Sequence, residues 1–166
     1  LLQNRPDVRI TIVGDGISRK RLEQRAQKEG LPNIRFLGRI PQEDIPEQIA
    51  RSHIQLVSLA AAPFLSYTTP SKISALLASG VPIIGNLTGD GAQLIKDAKA
   101  GIVVSPGNAV TLAAAITDMV DGGPSAWAKY GAQGRRFYDD HLSARTTTET
   151  IMKSLSQSLN SGKGRI

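Results

Sequence analysis

The residues best suited to chemistry stand together in Thr68-Thr69-Pro70-Ser71-Lys72, which opens a short apolar segment closed by Gly80-Val81-Pro82-Ile83-Ile84. Thr69 or Ser71 can act as N-cap, Pro70 suits a first helical position, and Gly80 stops the helix before an apolar strand. Ile73, Leu76 and Leu77 recur at spacings of three and four, so one face packs on a sheet. The unpaired N–H groups of the first turn then point outward and form an anion site. Lys72 is either the partner of a bound phosphate or a solvated lysine at a helix start.

Positioning such a site requires strands on both sides of it. Val8-Arg9-Ile10-Thr11-Ile12-Val13 alternates and is rich in β-branched residues, then breaks at Gly14-Asp15-Gly16. A polar helix from about Ser18 to Glu29 follows and ends at Gly30. Gly14 and Gly16 suggest a dinucleotide-binding turn, but Arg19 occupies the place of its third glycine and no acidic residue closes a second strand at the required distance. A strand-to-helix turn needing positive φ explains the glycines without a dinucleotide, and a nicotinamide-linked oxidoreductase is disfavoured.

The rhythm continues along the chain. Ile34–Leu37 reads as a second strand, Pro41 and Pro46 frame a short helix, and Ile54–Leu59 is a third strand. Residues 60–69 form a small-residue loop before the central helix. Pro82–Gly85 is a fourth strand, Asp90 caps a helix reaching Ala98, and Gly101–Val104 is a fifth strand. Asn108 caps a helix whose stripe is Leu112, Ala115, Ile116 and Met119; Pro124 opens another in which Trp127, Gly131, Gly134 and Tyr138 share a face. A last helix starts near Ser143 and carries Ile151, Met152, Leu155 and Leu159, ahead of a basic tail, residues 160–166, expected to fray.

Strands alternating with helices, without a hairpin signal, predict an α/β fold: a Rossmann-like parallel sheet of about five strands with helices on both faces. Ligands bind such sheets at the carboxyl ends of the strands, which selects the loops 14–18, 38–42, 60–72 and 85–91. Residues 1–159 read as one domain, long enough to bury roughly 70% of its unfolded surface. There is no cysteine, which excludes disulfides and thiolate chemistry, and two histidines leave little for a metal site. The net charge of +6 suits phosphate ligands or an anionic membrane surface. Nucleic acid is not the expected partner, because aromatics are only 4% and the basic residues are dispersed. Arg19, Lys20, Arg21, Arg25 and Lys28 read as a solvated helix face. His53 and His141 are read as surface or capping residues, Trp127 as helix packing, Asp15 as orienting its glycine turn, and Asp90 as a cap.

Val13-Gly14-Asp15-Gly16, Leu37-Gly38-Arg39-Ile40-Pro41, Pro70-Ser71-Lys72 with Gly80-Val81-Pro82-Ile83, and Gly101-Ile102-Val103-Val104-Ser105-Pro106-Gly107-Asn108 occur in an order that resembles one known family. It is the C-terminal, donor-binding domain of family 4 retaining glycosyltransferases of the GT-B fold, and the Pro-Ser-Lys variant is similar to that of polysaccharide-biosynthesis members. The resemblance covers most of residues 8–120. It implies a nucleotide-diphosphate sugar as substrate, no metal or other cofactor, and transfer to a glycan or lipid-linked acceptor in surface polysaccharide biosynthesis. It further implies donor contacts from Gly14, Asp15, Gly16, Gly38, Arg39, Ile40, Thr68, Thr69, Pro70, Ser71, Lys72 and Ala75, with the base against Arg39 and Ile40. The partner it implies is an N-terminal acceptor-binding domain, with a cytoplasmic location and, in the full-length protein, peripheral contact with the inner face of a membrane. No residue here is assigned to catalysis itself; clamping the donor phosphate is the main task.

Two departures qualify the expectation. The family's paired glutamates align with Tyr67 and Ala75, and alanine cannot accept hydrogen bonds from a ribose. Loss of that acceptor costs about 1.5–3 kcal/mol of donor binding, so a non-catalytic binding or scaffold domain is the alternative. The sequence also opens at Leu1-Leu2-Gln3-Asn4-Arg5-Pro6, which reads as the end of a helix. The family's first strand and its Arg- and Lys-bearing loop would precede it, so these residues are not expected to turn over substrate alone.

Overall fold

The computed structural model describes residues 1–61 and 71–162, with side chains through residue 157. The β-branched run Ile10–Val13 forms β1, and the polar segment Arg19–Lys28 forms α1. Then come β2 (Ile34–Gly38), a 3-10 turn (Gln42–Asp44) leading into α2 (Ile45–Ala50), and β3 (Gln55–Ser58). After the loop stand α3 (Ser71–Ser79), β4 (Ile83–Asn86), α4 (Asp90–Asp97) and β5 (Gly101–Val104). The chain closes with α5 (Ala109–Phe137), a π-helical turn (Tyr138–Leu142) and α6 (Ala144–Gly162).

Among the described residues all pairings are parallel, as the β-α alternation requires. The five expected strands are present but divide into two sheets, β1-β2 and β3-β4-β5. β4 is the central strand of the larger sheet. Ile83 and Ile84, adjacent on β4, enter opposite cores: Ile83 joins Val57, Ile73, Leu76, Leu77 and Ile95, while Ile84 joins Ala115 and Met119. Because β4 is covered on both faces it is apolar up to its last residue, Asn86, with no polar alternation.

Asn108 caps α5 as expected, accepting from the amides of Val110 at 2.9 Å and Thr111 at 3.2 Å. The two helices expected on either side of Pro124 are both present within α5, separated at Gly123, where the backbone leaves the helical conformation (φ 65°, ψ −172°). Glycine tolerates that positive φ, and Pro124 then restarts the helix without needing its missing N–H. The indole N–H of Trp127 donates to the Met119 carbonyl across the kink at 2.6 Å, which makes it the packing residue that was expected. Gly131 lies so close to Gly80 that a Cβ there would overlap the Gly80 carbonyl oxygen. Arg135 donates to the Ala78 carbonyl at 2.8 Å, satisfying the end of α3.

Two local expectations are corrected. The helix after β4 has Gly89, not Asp90, at its cap position, and Asp90 is its first helical residue with no capping bond of its own. Ser71 likewise is the first residue of α3, so the cap position falls outside the described residues. The last helix runs to Gly162.

Candidate functional site

Parallel topology fixes where the loops go. α3 ends at Ser79 and returns to the start of β4 at Ile83, so its beginning at Ser71 stands at the carboxyl edge of the sheet. Ile73, Leu76 and Leu77 are buried against that sheet, whereas Ser71, Lys72 and Ala75 are exposed. Lys72 and Ala75, three apart, share the outward face next to the helix start. Thr68, Thr69 and Pro70, together with Tyr67, lie outside the described residues.

The second part of the edge is built by the turns after β1 and β2. The Gly14 amide donates to the Gly38 carbonyl at 2.7 Å, joining the two loops directly. Both glycines have positive φ, 125° and 73°. The Asp15 carboxylate accepts from the Gly16 amide at 2.8 Å, so it does orient its turn. It also faces the Arg19 guanidinium at 3.7 Å, and that guanidinium pairs with Glu23 at 2.8 Å. Hydrogen bonding to Glu23, with its charge and that of Asp15, raises the Arg19 pKa above its ordinary value. Arg19 fills the space a side chain at Gly38 would need, so the residue in place of a third glycine ties the two loops together. A cleft of about 410 Å³ lies here, lined by Asp15, Gly16, Ile17, Arg19, Lys20 and Glu23. Arg39 is exposed and Ile40 half-buried just beyond it.

A third stretch follows β4 and β5, where a cleft of about 430 Å³ is lined by Thr88, Gly89, Asp90, Gln93, Lys96 and Ser105 among others. The Asn86 side-chain amide donates to Ser58 Oγ at 3.0 Å, across the carboxyl ends of β3 and β4. The side-chain oxygen Oδ1 of Asn86 is buried and has no hydrogen-bond partner among the described residues. Sequence reasoning selected the loop 85–91 but passed over Asn86, Ser58 and Lys96 as individuals. A polar residue ending an otherwise apolar strand was the available signal for Asn86. His53 stacks on Trp127 with ring centroids 5.0 Å apart, and His141 lies against Phe137 at 4.6 Å. Among the described residues no group of three or more acidic or histidine side chains is arranged to hold a metal.

The fold is a Rossmann-like α/β domain whose loops gather at the carboxyl edge of parallel strands. The chain belongs to the family described as glycosyl transferases group 1, whose model matches residues 1–121. Similar solved structures include HepE from Anabaena in complex with UDP, at 22% identity and TM-score 0.77, covering 92% of this chain and 42% of that one. Sucrose-phosphate synthase from Thermosynechococcus elongatus follows at 21% identity and TM-score 0.72, covering 91% and 38%. A glycosyltransferase from Rickettsia africae has 20% identity and TM-score 0.73, covering 92% and 40%. The architecture therefore matches half of a GT-B fold, and the chain spans about two fifths of the length of these structures. A comparison with curated protein sequences finds no match. Among the described residues no helix is long and apolar enough to cross a membrane.

Proposed function

We propose that this chain is the donor-binding half of a retaining, family 4 glycosyltransferase that moves a hexosyl group from a nucleotide-diphosphate sugar to a surface glycan or lipid-linked acceptor. The observation that carries the reading is the exposed start of α3, with Ser71 and Lys72 outward at the carboxyl edge of a parallel sheet. Amide N–H groups and the helix dipole there favour a diphosphate, and Lys72 adds a full charge. The joined turns at Gly14–Gly16 and Gly38–Ile40 offer backbone groups for the nucleoside end. The complexes of HepE with UDP and with UDP-glucose support this choice of ligand. Ile151, Met152 and Leu155, exposed along one side of α6, support docking of that helix on an N-terminal acceptor-binding domain. The proposed place of action is the cytoplasmic face of a membrane, which the net charge of +6 favours.

Titration calorimetry of the full-length protein with UDP and other nucleoside diphosphates tests the reading. Micromolar binding is expected, and silence at millimolar ligand would overturn it. The second reading, a non-catalytic scaffold domain, is favoured by one observation: Ala75 is exposed beside Lys72, where it offers a ribose no acceptor. Binding without sugar transfer or donor hydrolysis by the full-length protein would select the scaffold.

A further inference from the structure

Among aspartates, one followed by glycine rearranges most readily, because glycine carries no side chain to hinder its own nitrogen as that nitrogen attacks the preceding carboxyl carbon. The chain holds three such pairs, Asp15-Gly16, Asp90-Gly91 and Asp121-Gly122. Two of them lie in regular helix. Asp90 and Gly91 open α4, where helical geometry fixes the torsion between carboxyl and nitrogen, and Gly91 is buried. Asp121 and Gly122 lie inside α5, whose hydrogen-bond ladder occupies the Gly122 amide. The Asp121 carboxylate is also held by Arg5 at 2.9 Å.

Asp15 and Gly16 are placed otherwise. They stand between β1 and α1, outside helix and strand, and both are exposed. The Gly16 amide donates to Asp15 Oδ1 at 2.8 Å, so the attacking nitrogen already touches the group it would attack. A Cβ at Gly14 or Gly16 would meet nothing within 4 Å, so a ring has room to close and water has access to open it. Arg19 approaches the other carboxylate oxygen, Oδ2, at 3.7 Å. That pair is long and solvent-accessible, too weak to lock the side chain.

We propose that Asp15-Gly16 is a modification site, at which the native chain rearranges to isoaspartate and so parts the turn after β1 from the turn after β2. First the Gly16 nitrogen bonds to Asp15 Cγ. The amide proton leaves with one carboxyl oxygen and its proton as water, and a succinimide ring remains. Water then adds to a ring carbonyl. Cleavage of the nitrogen–Cγ bond restores aspartate, whereas cleavage at the main-chain carbonyl gives isoaspartate. The chain then runs through the side chain of residue 15, one methylene longer, and the former main-chain carbonyl becomes the free carboxylate. Water is the sole co-reactant, and the net composition is unchanged. The extra methylene is adjacent to Gly14, whose amide joins the two turns through the Gly38 carbonyl at 2.7 Å. The rearrangement belongs to this turn alone and does not depend on the sugar-transfer reading.

Ageing the full-length protein in warm neutral buffer tests the proposal. Peptide mapping locates the isoaspartate, and an isoaspartyl carboxyl methyltransferase counts it. Each rate is taken relative to that of a short peptide spanning the same pair. On that scale residue 15 is expected to react at least about tenfold faster than residues 90 and 121, whose helices must open locally first. A rate at residue 15 no faster than at the helical pairs would overturn the proposal. Gly16→Ala, whose Cβ meets open space, is expected to keep the melting temperature and slow the reaction severalfold. An unchanged rate in that variant would overturn attack by the Gly16 nitrogen. Hydrogen exchange on the isoaspartyl fraction reads the parting of the turns: the Gly14 amide should exchange at least about tenfold faster than in fresh protein. Unchanged protection of Gly14 would overturn that part.

Discussion

Single residues here act mostly as punctuation, and their effects are small but separable. Asn108 satisfies two orphan amides at the start of α5, so Asn108→Ala should cost about 1 kcal/mol, read as a lowered urea midpoint. Gly38 combines a φ of 73° with a neighbouring Arg19 guanidinium where a Cβ would lie. Gly38→Ala should therefore destabilise by about 1–2 kcal/mol, more than Gly16→Ala, whose Cβ would meet open space. Asp139 is held below its ordinary pKa by a hydrogen bond from Arg135, and Asp7 by one from Arg5. A lowered folded pKa means that this stabilisation is complete above the unfolded carboxylate value and is lost as pH falls through the folded one. Stability should then decline on acidification below about pH 4. Asp139→Asn should flatten that decline in urea denaturation measured across pH, with little effect on acid sensitivity elsewhere.

At the scale of the element, α3 has two faces with different duties. Leu77 is fully buried between the sheet and Gly134, so Leu77→Ala should cost about 2–5 kcal/mol in global stability. Lys72 is exposed, so Lys72→Ala should leave stability nearly unchanged while weakening UDP binding about tenfold or more, since hydrogen bonds to charged groups contribute about 1.5–3 kcal/mol. Calorimetry beside thermal unfolding distinguishes the two; an unchanged UDP affinity would remove Lys72 from the site. The facing elements meet backbone to backbone at Gly80 and Gly131. The shared face of Trp127, Gly131, Gly134 and Tyr138 was legible because two glycines recur within an otherwise helical stretch. Its partner was not, since nothing local identifies the turn after α3 as the surface it meets.

For the whole molecule the open edges of β1 and β3 dominate. Produced alone, residues 1–166 should associate through these edges as concentration rises, because unpaired parallel edges with exposed Ile12, Val13 and Leu56 are adhesive. Sedimentation showing a monodisperse monomer at high concentration would contradict this. Ionic pairing is peripheral by comparison. The described salt bridges are solvent-accessible and contribute little individually, and most are helical pairs four residues apart, as expected for the solvated face of α1.

The sequence alone determined what depends on near neighbours: the order of strands and helices, the buried stripe Ile73–Leu76–Leu77, the Asn108 cap and the turns at Gly14 and Gly38. Apolar period and backbone freedom are properties of a few consecutive residues, so they can be read without coordinates. Even there, the cap position slipped by a residue at Asp90, because a helix start depends on how the preceding loop enters it. Only the tertiary structure decided which edges remain open, that Arg19 would brace Gly38, and that Asn86 would reach Ser58 across two strands. It also joined Arg135 to Ala78, 57 positions away, and Arg5 to Asp121, 116 away. Those pairings follow from strand register and helix docking, which the chain as a whole sets and no short stretch encodes.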